Sequence, residues 1–475
     1  MPRPELGFYY GNVMAGAIGP RHGITQKQLD RLLAALPEKA YKLATNPKTK
    51  NWDHAYRTLP NGKETCKRIR ELVDKFKNRC EVLVVFGIGG SALGNIALQT
   101  ALNPYMYNLD DNQRSGPRLF VFDNIDPSQI ASFLKWLKYS KKLKKTIFNV
   151  ISRSGTAAET MSQLMVVRRL LTREFGARNL RNHIIVTTCF NDNPLDKIAK
   201  REKLHRLEIP RYVGGRFSVL STVGLFSAAM CGIDIDSLLA GARAMYRKVR
   251  RTDINKNPAA INAAINYRFY QKGKKISVMM PYSYHLKDLA DWYRQLWAES
   301  LGKAYDLKGS EVYVGPTPVK ALGATDQHSQ LQLYLEGPND KLFTFLQVDK
   351  FKKDLRIKGI PPYTPELDYL EDKYLGELLN NEKKATEYTL LNKNRPCLTV
   401  IFPEVNPYTV GQFIYFYEAT TSFTGAFFGI NPYDQPAVEL GKEATFALMG
   451  KPGDEYLEFS QEIHSKTEID KNFLV

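Results

Sequence analysis

The sequence predicts an α/β protein built on two doubly wound, mainly parallel sheets, with an N-terminal arm and a C-terminal extension. Three observations predict it. Apolar runs without polar alternation, at residues 82–86, 146–151 and 183–188, read as strands buried on both faces. Helical patterns separate them, and strands alternating with helices specify a parallel sheet covered on both sides. The alternation breaks near residue 232 and resumes at residue 275, which divides the chain into two such sheets.

Taken in order, residues 1–75 read as irregular segments and amphipathic helices (25–36 and 63–78), an arm more than an independent domain. Residues 76–252 form the first α/β domain, with strands at 82–86, 118–122, 146–151 and 183–188, a helix from Ala92 and another across 158–174. An apolar helix after 214–218 stops at Gly232. Residues 253–445 form the second domain, with a strand at 275–280, an amphipathic helix at 286–301 and strands at 341–348 and 397–402. The charged stretch 352–394 reads as a surface insertion plus a helix, and 446–475 as a terminal extension.

At 475 residues, 43% hydrophobic and 24% charged, the chain can bury a large core, which excludes a disordered protein. No apolar run has the length of a membrane span, and the Met1-Pro2-Arg3-Pro4 start has no signal-peptide pattern, so a cytoplasmic protein with no membrane partner is expected. Cys66, Cys80, Cys189, Cys231 and Cys397 lie far apart without a CxxC spacing, which supports neither a zinc site nor a disulfide framework. The net charge of +18 is spread along the chain, in pieces such as 141–145 and 247–251. These read as solvated faces, with no nucleic-acid partner expected, and the field they create favours an anionic small substrate.

The chemistry-bearing segments follow strands or sit near helix ends. Gly87-Ile88-Gly89-Gly90-Ser91 lies between a strand and a helix, where glycines admit close approach and the helix N-terminus attracts an anion. It also satisfies the dinucleotide pattern GxGxxA, but the acid ending the next strand, Asp123, lies well beyond the expected distance of about 20 residues. Ser152-Arg153-Ser154-Gly155-Thr156 places three hydroxyls before a helix; capping needs one, so a phosphate cradle is favoured over a simple N-cap cluster. In Gly214-Gly215-Arg216-Phe217-Ser218 the arginine is either a surface group or a fixed cation for a developing oxyanion. Gln295 and Glu299 share a helix face, and Glu299 is either solvated or made more basic by a wall such as Trp297. His328 sits in the polar turn 325–329, and Pro436 opens a helix that carries Lys442.

Together, and in this order, the segments GIGGS (87–91), SRSGT (152–156), GGRFSVLSTVG (214–224), WAESLGK (297–303), GATDQHSQ (323–330) and NPYDQPAVELGK (431–442) resemble the glucose-6-phosphate isomerase family. The resemblance covers about residues 80 to 445. It implies two sugar-isomerase (SIS) domains of flavodoxin-like α/β type and a glycolytic and gluconeogenic aldose–ketose isomerase that needs no metal or cofactor. By the same resemblance Glu299 is the base that moves a proton between carbons 1 and 2 through a cis-enediol, and Arg216 stabilises the enediolate. His328 and Lys442 are the ring-opening pair, with His328 supplied by the other subunit of a homodimer. Ser152, Ser154, Thr156 and Gln295 hold the phosphate, while Gln435 and the Gly90-Ser91 backbone line the site. Arg153 stands where the family usually has lysine, and Ala157 where a threonine hydroxyl is common, a lost donor worth about 1 to 2 kcal/mol if nothing replaces it. A sugar-phosphate sensor of the same fold would keep the hydroxyl loop but would not need Glu299, His328 and Lys442 together. Acceptance of mannose 6-phosphate as well stays open, because epimer choice depends on pocket detail.

Overall fold

Val82–Phe86, with all five residues buried, cannot lie at a wet sheet face, and in the computed structural model it is an interior strand with a parallel neighbour on each side. Residues 4–36, 52–251 and 253–475 are described; the other parts of the arm expected at 1–75, including the Met1 to Arg3 start, lie outside the described residues, as does position 252. The strands are β1 (Gly7–Tyr9), β2 (Val82–Phe86), β3 (Arg118–Phe122), β4 (Thr146–Ile151), β5 (Ile184–Thr188), β6 (His205–Glu208), β7 (Ile276–Pro281), β8 (Lys303–Tyr305), β9 (Glu311–Val314), β10 (Thr317–Lys320), β11 (Lys341–Lys350) and β12 (Cys397–Glu404). The helices to the middle of the chain are α1 (Ala15–His22), α2 (Gln26–Ala34), α3 (Lys63–Phe76), α4 (Leu93–Leu102), α5 (Pro127–Tyr139), α6 (Ala158–Phe175), α7 (Pro194–Arg201), α8 (Thr222–Met230) and α9 (Ile235–Val249). The later ones are α10 (Pro258–Gln271), α11 (Lys287–Leu301), α12 (Leu331–Glu336), α13 (Leu375–Asn392), α14 (Pro407–Phe428), α15 (Ala437–Leu448) and α16 (Asp454–Thr467).

The first sheet has the order β3-β2-β4-β5-β6, parallel throughout. The chain lays β3 on one side of β2 and then crosses to build the other side from β4. The β2/β4 boundary is therefore a topological switch point, where loops leaving the carboxyl ends diverge and open a crevice. GIGGS follows β2 and SRSGT follows β4, so the topology brings both loops to that crevice. Beneath them Val84, Phe86, Phe148 and Val150 pack with Leu137 of α5 and Leu164 and Val167 of α6.

The second sheet has the order β1-β12-β11-β7-β10, with β1 antiparallel to β12 and the rest parallel. From β7 onward it repeats the winding of the first sheet. Near β1, the Leu6 N–H donates to Gln412 Oε1 at 2.9 Å and Asn12 Nδ2 donates to Glu387 Oε1 at 2.9 Å, tying the N-terminal segment to α14 and α13. The helix after β7 is α11, whose Trp292, Leu296 and Trp297 are buried. The fold class expected from the sequence is thus observed. The strands that the sequence reading did not find, β1, β6 and β8 to β10, are three or four residues long and partly exposed. Such strands carry no continuous apolar run. Pro318 in β10 is tolerated because that strand lies at the sheet edge.

The chain divides into two units, Met1–Pro432 and Tyr433–Val475. The second consists of α15 and α16, joined by a Tyr456 hydroxyl that donates to Glu443 Oε2 at 2.7 Å. Among the described residues no helix is long and apolar enough to cross a membrane, and no group of three or more His, Cys, Asp or Glu side chains is arranged to hold a metal ion.

Candidate active site

After β2 the chain makes a tight turn at 89–91, with Gly89 at φ +54, before α4 begins. A Cβ on Gly90 would lie 2.1 Å from the Gly215 carbonyl carbon and 2.5 Å from Arg216 N. The two glycine motifs are therefore halves of one backbone contact, which seats Arg216 against the β2 loop. Gly90→Ala is expected to cost about 2 kcal/mol in urea denaturation and to impair activity, because the atoms to be displaced are backbone. Gly215→Ala is the control: its Cβ would meet nothing closer than Gly90 Cα at 3.9 Å. Its cost should be less than half as large.

After β4, buried Ser152 accepts from the Gly155 N–H at 3.1 Å, and its carbonyl accepts from the Thr188 hydroxyl at 2.6 Å. Gly155 has φ +66, and a Cβ there would overlap Asn193 Oδ1. Ser154 Oγ accepts from the Thr156 N–H at 3.3 Å and from the Thr156 hydroxyl at 2.9 Å, both residues being exposed. The N-cap of α6 is Ala157, with no side-chain cap bond. The simple capping alternative is not realised: the hydroxyls stand in front of an uncapped helix end, where backbone N–H groups favour an anion. Arg153 Nη1 donates to the Val213 carbonyl at 3.4 Å, a long bond that reaches the residue before Gly214.

Arg216 is buried rather than on the surface. Its Nε donates to Ser300 Oγ at 2.7 Å, its Nη2 to the Pro432 carbonyl at 2.7 Å, and its Nη1 pairs with Glu299 Oε1 at 3.2 Å. The other carboxylate oxygen accepts from Gln295 Nε2 at 3.0 Å. The Arg216 side chain is 1% exposed and that of Glu299 26%, so the carboxylate is held on its cation side and open on another. Gln295 also covers the β2 loop, since a Cβ on Gly89 would lie 2.8 Å from its Nε2. Among the described residues its buried Oε1 has no hydrogen-bond partner. Trp297 does not supply the expected wall for Glu299. Residues two apart on a helix do not share a face, and the Trp297 ring is fully buried against Tyr293, 5.3 Å between centroids.

His328 ends the turn Thr325–His328, exposed and, among the described residues, without a hydrogen bond or ion pair. The turn beneath it is braced: Asp326 accepts from the Leu322 N–H at 2.6 Å, and Gln327 Oε1 accepts from the Tyr282 hydroxyl at 2.6 Å. Among the contacts of the described residues, none joins His328 to the Glu299–Arg216 pair. Gln435 and Lys442 belong to the second unit, where Pro436 is the N-cap of α15 and Lys442 Nζ pairs with Glu439 Oε1 at 2.6 Å. Sequence reasoning missed Ser300 and the Pro432 carbonyl, the two acceptors that fix Arg216. Both stand inside or beside recognised segments, but neither residue type by itself signals the contact.

The sequence pattern of the family described as phosphoglucose isomerase matches residues 57–357 and 371–465. The chain is 50% identical over 390 residues to the glucose-6-phosphate isomerase of Carboxydothermus hydrogenoformans, covering 82% of each protein. It is 38% identical over 433 residues to the glucose-6-phosphate isomerase of Rubrobacter xylanophilus, covering 91% of this chain and 96% of that one. The crystal structure of a hypothetical protein from Thermus thermophilus superimposes with a TM-score of 0.83 at 33% identity, over 94% of this chain and all (100%) of that one. A glucose-6-phosphate isomerase from Chlamydia trachomatis, at 21% identity, shares the fold with a TM-score of 0.78 over 97% of this chain and 92% of that one. The family match thus takes in the whole first sheet, all of the second except β1, and the Glu299–Arg216 pair, and on it the chain belongs to the phosphoglucose isomerase family.

Proposed function

We propose that the chain is a cytoplasmic glucose-6-phosphate isomerase that interconverts glucose 6-phosphate and fructose 6-phosphate. The observation that carries the reading is the Glu299 carboxylate, held between buried Arg216 and Gln295 beside the switch-point loops. Moving a proton between two carbons beside a carbonyl needs a base whose conjugate acid can return it, and Glu299 keeps an open side for that role. The enediolate oxygen needs a cation that does not have to reorganise. Arg216, fixed through all three guanidinium nitrogens, meets that requirement.

Ser152, Ser154, Thr156, Gln295 and the uncapped end of α6 are assigned to the phosphate, beside Arg153, and on the family resemblance Gln435 and the Gly90-Ser91 backbone are assigned to the lining of the site. Ring opening is assigned to His328 and Lys442 on the family resemblance, with His328 acting in a second copy of the chain; its unbonded, exposed ring suits that assignment.

The test is a coupled assay of fructose 6-phosphate conversion to glucose 6-phosphate in the presence of EDTA. Turnover supports the assignment, and its absence overturns it. A second expected result concerns the hydroxyl loop: Ser154→Ala with Thr156→Val should raise KM about thirtyfold by removing two donors worth about 1 kcal/mol each. The kcat should change less than about threefold, because these contacts bind ground state and transition state alike.

A further inference from the structure

The basic run at 141–145 is not used by the chemistry above. Its Lys144 and Lys145 line a cavity of about 600 Å³ with Arg79, Phe175, Asn182 and His183. These residues precede or begin β2, β4 and β5, so the cavity lies at the amino ends of the strands whose carboxyl ends carry the candidate active site. A five-residue strand separates the two, roughly 15 to 20 Å.

Three features mark it as built for a ligand. Among the described residues Arg79 and Lys144 have no ion-pair partner, whereas Lys145 shares Glu81 with Lys142. His183, only 7% exposed, stacks on Phe175 with centroids 4.7 Å apart. Its Nδ1 bonds the Thr146 carbonyl at 3.0 Å, and its Nε2 has no partner among the described residues. A neutral ring that donates from Nδ1 leaves Nε2 as a bare lone pair, so the ring donates there only after taking up a proton. We propose that this cavity is a second, noncatalytic anion site for a small phosphorylated metabolite, with Arg79 and Lys144 neutralising the phosphate and the protonated His183 Nε2 donating to it. The volume exceeds that of a bare oxyanion and lies within the range of small-molecule sites.

The charged groups around the ring set the pH dependence. Arg79, Lys144 and Lys145 face the cavity, Glu81 stands behind Lys145, and the adjoining elements carry Glu174, paired with Arg173, and Arg178 and Arg181. Burial first, and the Arg79 charge as well, hold the free imidazole below its ordinary range, against the Thr146 bond. A bound anion raises it, so binding takes up a proton and strengthens as pH falls.

The probe is sulfate, which stays a dianion across neutral pH, titrated calorimetrically into the full-length chain. Wild type should bind two sulfates per chain, one of them at least about fivefold tighter at pH 6 than at pH 8. Arg79→Gln with Lys144→Gln, two exposed positions, should lose that one while kcat and KM for sugar phosphate stay within about twofold. His183→Gln should remove the pH dependence. Because that buried change can perturb folding, the wild-type His183 proton resonance is followed as well, and its titration should move upward on adding sulfate. AMP, a phosphomonoester with additional groups to contact the remaining lining, should bind the same site at least about tenfold more tightly than sulfate. Unaltered sulfate binding in the Arg79/Lys144 variant, an unmoved His183 titration, or AMP binding no tighter than sulfate would each overturn the proposal.

Discussion

Glu299→Gln is expected to lower kcat for isomerisation by about 10³ to 10⁴ while sugar-phosphate affinity changes only a fewfold. Glutamine keeps the shape of the side chain and an oxygen acceptor for Arg216 Nη1, which in the wild type lies 3.2 Å from the carboxylate. What it cannot do is accept and return a proton. The loss should therefore fall on the proton-transfer step, in both directions, and should be matched by loss of solvent exchange at carbon 2 of glucose 6-phosphate and carbon 1 of fructose 6-phosphate. Calorimetric titration with fructose 6-phosphate separates this from a binding defect, since the hydroxyl loop at 152–156 proposed to hold the phosphate is untouched. Isomerisation at near wild-type rate would show that the base is another residue.

The parts of the fold legible in the sequence are those where one residue pattern has one physical solution. Strands β2, β4 and β5 are continuous apolar runs because both faces are covered, and every one of their residues is buried. The edge strands β1, β6 and β10 are half wet and short, so local pattern does not separate them from loops. The site divides in the same way. Gln295 and Glu299 were legible as a pair because helical spacing alone puts them on one face. The burial of Arg216 was not, because it depends on Ser300, Glu299 and Pro432, all distant in sequence. The Gly90–Gly215 contact was likewise hidden: each motif explains its glycines by local approach, and only the folded chain shows that they approach one another. The resemblance supplied chemical roles, and the geometry adds why two of those residues hold their positions.

Arg216→Met should lower both stability and turnover, and the two losses can be told apart. Methionine is similar in length and apolar, so it fills the buried volume without supplying charge. Three partners then lose their donor: Ser300 Oγ, the Pro432 carbonyl and the Glu299 carboxylate. Removing one member of a buried ion pair typically costs about 3 to 5 kcal/mol. Here Glu299 is 26% exposed and water takes over part of its solvation, so about 2 to 4 kcal/mol is expected in urea denaturation. Turnover should fall at least a further hundredfold beyond any effect of the unfolded fraction, because the loss of one preorganised charge at a developing oxyanion costs about 10² to 10³. The Glu299→Gln background provides the decisive comparison. If the pair is coupled as the 3.2 Å contact implies, Arg216→Met should cost about 1 to 2 kcal/mol less there, since no carboxylate is left stranded. Equal costs in the two backgrounds would show that Arg216 serves the fold through Ser300 and Pro432 alone, and turnover that falls no further than the unfolded fraction would remove it from the proposed chemistry.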